Sequence, residues 1–476
     1  MSQVQTIFKN MSWILVSQII ACICGFIWTV LIARYMSVSE YGILGFAISL
    51  TGIISFTMDW GISTHIVRHI STDHSSAPKY VGNAIPLKGI FSIGTIFLTL
   101  VILILMKSDE VTICVTLLFL IQRIVLSLNE LIIGCFQAFE EGKYQGIRNT
   151  ILNLLQLIFI LIAIFSDLGI YGITFAYLLA NVITCIYSYY VLVKHITKPK
   201  YEINKNFCKK ITKVSIPFAV TGLLFSIYYS IDMIMLTHLV GNYETGVYNA
   251  TYKLISVLTL FYSVYGSVIF PVMSRLYKNN EKLLIVSFEK SIKYLTLIMV
   301  PIAVGTVLYS LDIIRLIYGH KYDAASAPLS ILIWTVCLLF INGPCNSLLN
   351  ASHKEVSVTK IYLIAAAFNF TLNLIMIPYL TYTGAAITTV LSDLLILIIQ
   401  FYVIYKSGQK PNKKLYYDIG KIIIGSTILA IALHLLNLNM WLALPVGIII
   451  YFATLYLLKL FDKDDKYVIK EILGKN

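Results

Sequence analysis

The 476-residue chain is 58% hydrophobic and only 12% charged, with a mean hydropathy of +0.83, far from the roughly 25% charged residues of an ordinary soluble domain, and this excludes a soluble globular protein. The formal net charge of +13 does not point to nucleic acid, because the Lys and Arg are scattered singly between apolar runs and form no single basic face. Apolar runs of about 20 residues, the length a helix needs to cross a bilayer, recur almost from end to end and leave no stretch for a soluble catalytic domain.

At the start, Ile19, Ile20, Ala21 and Cys22 imitate a lipoprotein cleavage site, but the run continues to Ala33 and the leader carries only Lys9, so an uncleaved first span is expected. Turn and charge signals then mark spans at 12–34, 42–64, 83–106, 112–137, 146–166 and 169–193. After a basic stretch come 213–238, 245–271, 291–316, 327–350, 357–379 and 383–405, and finally 415–437 and 440–460. The expectation is an all-α integral membrane protein of about 14 transmembrane helices. It divides into an N-terminal six-helix lobe (1–193), a cytoplasmic basic linker (194–212), a C-terminal six-helix lobe (213–406), and two extra helices with a tail (407–476). Cysteines show no paired spacing, and all but Cys208 lie in apolar runs, where thiols behave as small hydrophobes. No disulfide, metal or cofactor is expected.

An even number of spans puts both termini on one side. On the other side lie only Arg34, Lys107, Arg315 and Lys321, while Arg123 and Lys253 fall well inside spans and the remaining cations collect with the termini or at that membrane edge. Cytoplasmic loops retain positive charge, so the termini and the linker with Lys194, Lys198, Lys200, Lys205, Lys209 and Lys210 are expected in the cytoplasm. The two six-span blocks show a faint repeat. Gly42 and Leu50 fall opposite Gly246 and Leu254, Gln156 opposite Asn369, the run from Tyr171 to Ile173 opposite Thr383 to Ala385, and Asn181 opposite Asp393. Blocks of six run in the same direction, as in carriers that rock two bundles about an axis along the membrane normal.

LIARYMSVSEYG at 31–42, with Gly61 and Arg68 after it, resembles the opening of the polysaccharide and oligosaccharide repeat-unit flippases of the multidrug/oligosaccharidyl-lipid/polysaccharide exporter superfamily. FQAFEEGKY at 136–144 fits their fourth loop. YSIDMIMLTHLVGNYETGVYNATYKL at 229–254, FPVMSRL at 270–276, LIYGHKYDAASAPLSIL at 316–332 and FNFTLNLIMIPYLTYTGAAITTVLSD at 368–393 continue the match in order. The resemblance covers about residues 8–406 and rests on the ordered set, with no single motif specific. It implies a pair of six-helix lobes and a substrate of undecaprenyl diphosphate bearing an oligosaccharide repeat unit, moved to the outer leaflet of a bacterial inner membrane for O-antigen, capsule or exopolysaccharide. Membrane lipids, a glycan polymerase and a chain-length regulator are the partners it implies. Gly42, Gly246 and Gly384 suit tight turns or close helix approach, and Pro217, Pro271, Pro301 and Pro378 suit helix ends or bends.

Such a substrate needs cations for its phosphates, amides and hydroxyls for its sugars, and an oily opening for its tail. Polar stripes meet the first two needs: Asn249, Lys253, Ser256, Ser263 and Ser267 in span eight, and Thr51, Ser55 and Asp59 in span two. Arg123, Asn129 and Glu130 lie in span four, Asn149, Asn153 and Gln156 in span five, Asn369 and Asn373 in span eleven, and Asp393 in span twelve. Helix packing through buried amides is the competing reading. Arg123 and Glu130, seven apart, share a face as an ion network or as cavity lining. Asp232 and Lys253 should lie at similar depth, so Lys253 either pairs with Asp232 or holds the diphosphate. Arg34 and Arg68 are substrate contacts or interface anchors. Asp59, Glu130, Asp232 and Asp393 are ion-coupling candidates; His238 and His434, with no partners at ligand spacing, read as structural or exposed.

A multidrug or cation antiporter, or a peptidoglycan-precursor flippase of the same fold, remains open. Asp59 and Glu130 keep the antiporter open, although span one has no acid, and the family motifs favour the oligosaccharide branch. A membrane glycan polymerase, from another class, would need a large external loop with catalytic groups, and the external loops are all short.

Overall fold

A computed structural model describes residues 3–461 apart from position 203, and these are almost entirely helical. The side chains of Lys9, Lys210, Pro217, Ser263 and Ser267 and the tail beyond 461 lie outside the described residues. Contacts group the chain into two units, 1–249 and 250–476.

The first unit holds α1 (Gln3–Tyr35), α2 (Val38–Ile54), the single turn α3 (Phe56–Asp59), α4 (Ile62–Ile70), α5 (Ala77–Leu105), α6 (Glu110–Ala138), α7 (Gly142–Phe165), α8 (Gly169–Val191), α9 (Lys205–Leu239) and the first turns of α10 (Asn242–Asn279). The second unit holds the rest of α10, then α11 (Glu281–Leu308), α12 (Ser310–Tyr318), α13 (Ser326–Ala351), α14 (Glu355–Lys406), α15 (Lys413–Leu436) and α16 (Met440–Leu457). Helix starts follow local chemistry. Ser37 and Glu40 form a reciprocal cap on α2, and Asp109 accepts from the Thr112 N–H at the start of α6.

Among the described residues, 12 helical segments are long and apolar enough to cross a membrane. The expectation of about 14 differs at two places. The predicted spans 357–379 and 383–405 form the single 52-residue α14, which breaks at Thr381 (φ 52°, ψ −133°). There Gly384 meets the preceding turns so closely that a Cβ would sit 2.5 Å from the Met376 carbonyl oxygen. The predicted span 245–271 lies in α10, several of whose side chains fall outside the described residues, and α10 is therefore not among the 12.

Apolar side chains face outward over much of the surface: Ile93 and Phe97 are each 70% exposed and Phe165 85%. That pattern is costly in water and suited to hydrocarbon. Inside the first unit, Ile62, Ile66 and Ile70 of α4 are fully buried against Leu131, Ile132 and Cys135 of α6. In the second, α15 and α16 pack on α11 through Leu297, Ile422, Leu429 and Tyr451.

The linker after α8 docks on the start of α5. The Lys200 N–H donates to the Pro78 carbonyl at 2.9 Å, and the Asn204 N–H donates to Asn83 Oδ1 at 3.0 Å. Cys208, read from the sequence as the cysteine outside the apolar runs, is in fact buried on α9 with its Sγ 3.8 Å from Asn83 Oδ1, whereas Cys114 on α6 is exposed. Pro271, Pro301 and Pro378 sit inside helices and end none; Pro378 lies three residues before the break in α14.

Candidate functional site

The predicted second span is not one helix. After Ile54 the chain makes the single turn α3 and then places Trp60 (φ 46°) and Gly61 (φ 71°) in the left-handed region before α4 begins. Trp60 has a Cβ and adopts this conformation at a cost. Broken helices at membrane depth occur where the freed backbone lines a cavity or is buried in protein. Here a cavity of about 210 Å³ adjoins the break, lined by Ser55, Phe56, Asp59, Gly61, Thr64, Arg123, Leu126, Ser127, Glu130, Gly222 and Ser226.

Asp59 ends the short turn and caps the next helix, accepting from the Ser63 N–H at 3.3 Å and the Ser63 hydroxyl at 2.6 Å. The Lys88 ammonium lies 2.5 Å from Asp59 Oδ1 and donates to Ser63 Oγ (2.8 Å), the Ser127 carbonyl (2.8 Å) and Ser127 Oγ (2.9 Å). Lys88 is 1% exposed. Arg123 and Glu130, two turns apart on α6, are both among the residues that line the cavity. Gly52 faces the guanidinium, where an added Cβ would come 3.7 Å from Arg123 Nη2, an ordinary contact distance.

Other candidates fall elsewhere. On α7, Asn153 donates to the Asn149 carbonyl at 2.6 Å, and Gln156 is buried. Asn249 donates to the Tyr41 carbonyl at 3.0 Å, which makes it part of the crossing of α2 and α10. Asp232 on α9 accepts from the Tyr248 hydroxyl at 2.8 Å. Arg34 is exposed at the end of α1, and Arg68 is exposed in the last turn of α4, where a cation suits the helix dipole.

In the second unit Lys253 is half-buried on α10. Asn369 and Asn373 are buried and bonded to each other at 3.0 Å, and the backbone carbonyl of buried Asp393 accepts from Asn342 at 3.2 Å. Gln400 donates to Asn346, which donates to the Tyr362 hydroxyl, both at 2.8 Å. This amide ladder joins α13 to the two arms of α14. An apolar groove of about 540 Å³ runs between α11 and the α15–α16 pair, lined by Pro301, Ile302, Leu433, Trp441, Leu444 and Phe452 among others.

Three interior cations escape a reading by distance from the span ends, which put them at the membrane edge. They are Lys88, Arg148 (3% exposed, donating Nη1 to Asn149 Oδ1 at 3.0 Å) and Lys293 (2% exposed). Lys293 pairs with Asp418 at 3.2 Å and donates to the Leu460 carbonyl at 3.0 Å. For Lys88 and Lys293 the signal that could have found them is the acid or hydroxyl placed on a neighbouring helix, not the span containing the cation.

Apolar helices enclosing a small charged cavity beside a broken helix define a polytopic membrane transporter. Residues 7–277, more than half the chain, match the family described as polysaccharide biosynthesis protein, and the chain belongs to that family. Residues 217–375 also match the MatE family, and together with the first match this agrees with the transporter superfamily that the sequence resemblance indicated. The chain is 26% identical over 409 residues to the capsular polysaccharide biosynthesis protein CapF of Staphylococcus aureus, covering 84% of this chain and 99% of that one. It is 23% identical over 425 residues to the probable low-salt glycan biosynthesis flippase Agl15 of Haloferax volcanii, covering 87% and 88%. The fold is similar to that of a solved structure described as the lipid II flippase MurJ, inward closed conformation (TM-score 0.79, 16% identity, 94% of this chain and 98% of that one). A multidrug resistance MATE family transporter in its inward-facing conformation gives a TM-score of 0.67 at 15% identity, covering 81% and 96%.

Proposed function

We propose that this protein moves a lipid-linked oligosaccharide repeat unit, carried on undecaprenyl diphosphate, from the cytoplasmic to the outer leaflet by alternating access, for capsule, O-antigen or another exopolysaccharide. The observation that carries this reading is the charge-lined cavity at the broken helix, where Arg123 and Glu130 face a space among apolar membrane-spanning helices. A cation exposed to such a cavity attracts phosphate, and carboxylates and hydroxyls around it hydrogen-bond sugars. The apolar groove beside α15 and α16 suits a polyprenyl tail. The names of CapF and Agl15 support the glycan assignment.

In this reading 1–193 and 213–406 are the moving lobes, 194–212 is their cytoplasmic link, and 407–476 adds two helices and a tail. The protein sits in the bacterial cytoplasmic membrane with both termini inside. Lys253, Arg123, Arg34 and Arg68 supply cations to the substrate, and Asn153, Gln156, Asn249, Asn369 and Asn373 line or frame its path. Asp59, Glu130, Asp232 and Asp393 are the carboxylates available to couple transport to ions. The test is accumulation of lipid-linked glycan in a deletion strain. Complementation with the wild type clears it, and Arg123→Ala at matched membrane level leaves it. Full clearance by Arg123→Ala removes the cavity from the path.

A second reading, a drug or cation antiporter, is favoured by the MatE match and by two acids at one cavity. It predicts drug resistance on overexpression with no change in lipid-linked glycan.

A further inference from the structure

We propose that the Lys88 ammonium is a tethered cation seated in an oxygen cage, and that without it the cage binds a monovalent metal ion. The ammonium has four oxygens within 2.9 Å: Asp59 Oδ1, Ser63 Oγ, the Ser127 carbonyl and Ser127 Oγ. An ammonium carries three protons, so the shell offers more oxygens than it can serve by separate hydrogen bonds. One carboxylate oxygen, one backbone carbonyl and two hydroxyls form the hard, mostly neutral donor set that takes the place of a small cation's water shell.

The donors are held without Lys88. Asp59 is fixed by the Ser63 N–H and hydroxyl at the break before α4, and Ser127 lies in the middle of α6. Lys88 reaches them from a fourth helix, α5, and its removal leaves the oxygens of α3, α4 and α6 facing one another. Asp59 and Ser127 also line the cavity, so an ion in the cavity reaches the cage directly. With Lys88 present the charge of Asp59 is already met, and the wild type has no vacancy for a metal ion there. This inference stands apart from the lipid-linked substrate, because it concerns a cation and is read without transport.

The experiment compares purified wild type, Lys88→Ala, and Lys88→Ala combined with Asp59→Asn. Thermal unfolding is followed in sodium, potassium or choline chloride at equal ionic strength, with binding of radioactive sodium measured alongside. An ion that binds only the folded protein raises its melting temperature with concentration. The expected result is a saturable rise of several degrees with sodium or potassium over choline in Lys88→Ala alone. Wild type and double variant should be indifferent to the choice of cation. Recovery of folded Lys88→Ala only from metal-ion buffers also supports the cage. An unresponsive Lys88→Ala overturns it, as does a wild type or a double variant that responds to sodium or potassium as Lys88→Ala does. Failure of Lys88→Ala to fold in any buffer while the double variant folds in all of them overturns it too, because an ion entering the cage would have supplied the missing charge.

Discussion

At residue scale the chain's buried charges are legible in the sequence to different degrees. Arg123 and Glu130 are readable from their sevenfold spacing and their depth in one apolar run, and both reach the cavity. Lys88 and Lys293 are not, since a lysine near a span end ordinarily snorkels to the interface, and only a partner on another helix turns it inward. For Lys293 that partner is Asp418, far away in sequence, with side chains 3% and 8% exposed. Removing one member strands the other in a low-dielectric interior. Lys293→Met is therefore expected to destabilise the protein by about 3–5 kcal/mol, read as a lower melting temperature, with Lys293→Met plus Asp418→Leu recovering most of the loss. If the double variant melts no higher than the single one, the pair is not the source of the cost. Arg123 has a different test. Losing a charge-assisted contact of about 1.5–3 kcal/mol should slow glycan export by roughly ten- to a hundredfold in Arg123→Ala, with Arg123→Lys retaining more activity because a phosphate accepts any cation. Equal losses in the two variants argue for guanidinium geometry instead.

At the scale of elements the apolar periodicity locates helices well and their interruptions poorly. The second predicted span ran unbroken to residue 64 because Phe56, Met58 and Trp60 keep it apolar, and composition does not register the left-handed pair Trp60 and Gly61. The break in α14 hides for the same reason: Leu380, Thr381 and Tyr382 carry no glycine or proline to mark it, though Pro378 and Gly384 flank it. Glycines were more telling. Gly42 and Gly246, opposite one another in the faint repeat, meet where α2 crosses the first turns of α10. A Cβ on Gly42 would sit 1.9 Å from the Asn242 carbonyl oxygen, and one on Gly246 would sit 1.9 Å from that of Val38. The contacts are reciprocal, each glycine meeting the residue four before the other. Gly42→Ala must therefore push the backbones apart, at about 1–3 kcal/mol by comparison with other overpacked sites. Its melting temperature should fall, with Gly246→Ala falling by a similar amount. A variant as stable as the wild type would mean that the crossing has slack that these distances deny.

At the scale of the molecule, class and membrane placement follow from composition, since hydropathy of +0.83 leaves the chain no other solvent. Orientation rests on the lysines between α8 and α9, and it calls for a probe that reaches them. The native Cys208 does not serve, because it is 8% exposed and packed against Asn83. Its burial was not legible, since a cysteine among lysines and asparagines carries no apolar signature, and the docking of this segment on α5 through Lys200 and Asn204 is a tertiary event. Asn206, two residues earlier on the same helix and exposed, serves instead. In a variant stripped of its cysteines and carrying Asn206→Cys, a membrane-impermeant maleimide is expected to label inverted vesicles and to spare intact spheroplasts. A second site makes the answer two-sided: Asp109→Cys would disturb the cap of α6, so Ser108→Cys beside it is the better external position, and it should label in spheroplasts only. The positive-inside rule makes both outcomes one prediction, because an even number of crossings separates the linker from the tail and an odd number separates it from Ser108. Labelling of Asn206→Cys from outside would reverse the orientation and, with it, the direction of transport proposed for the glycan.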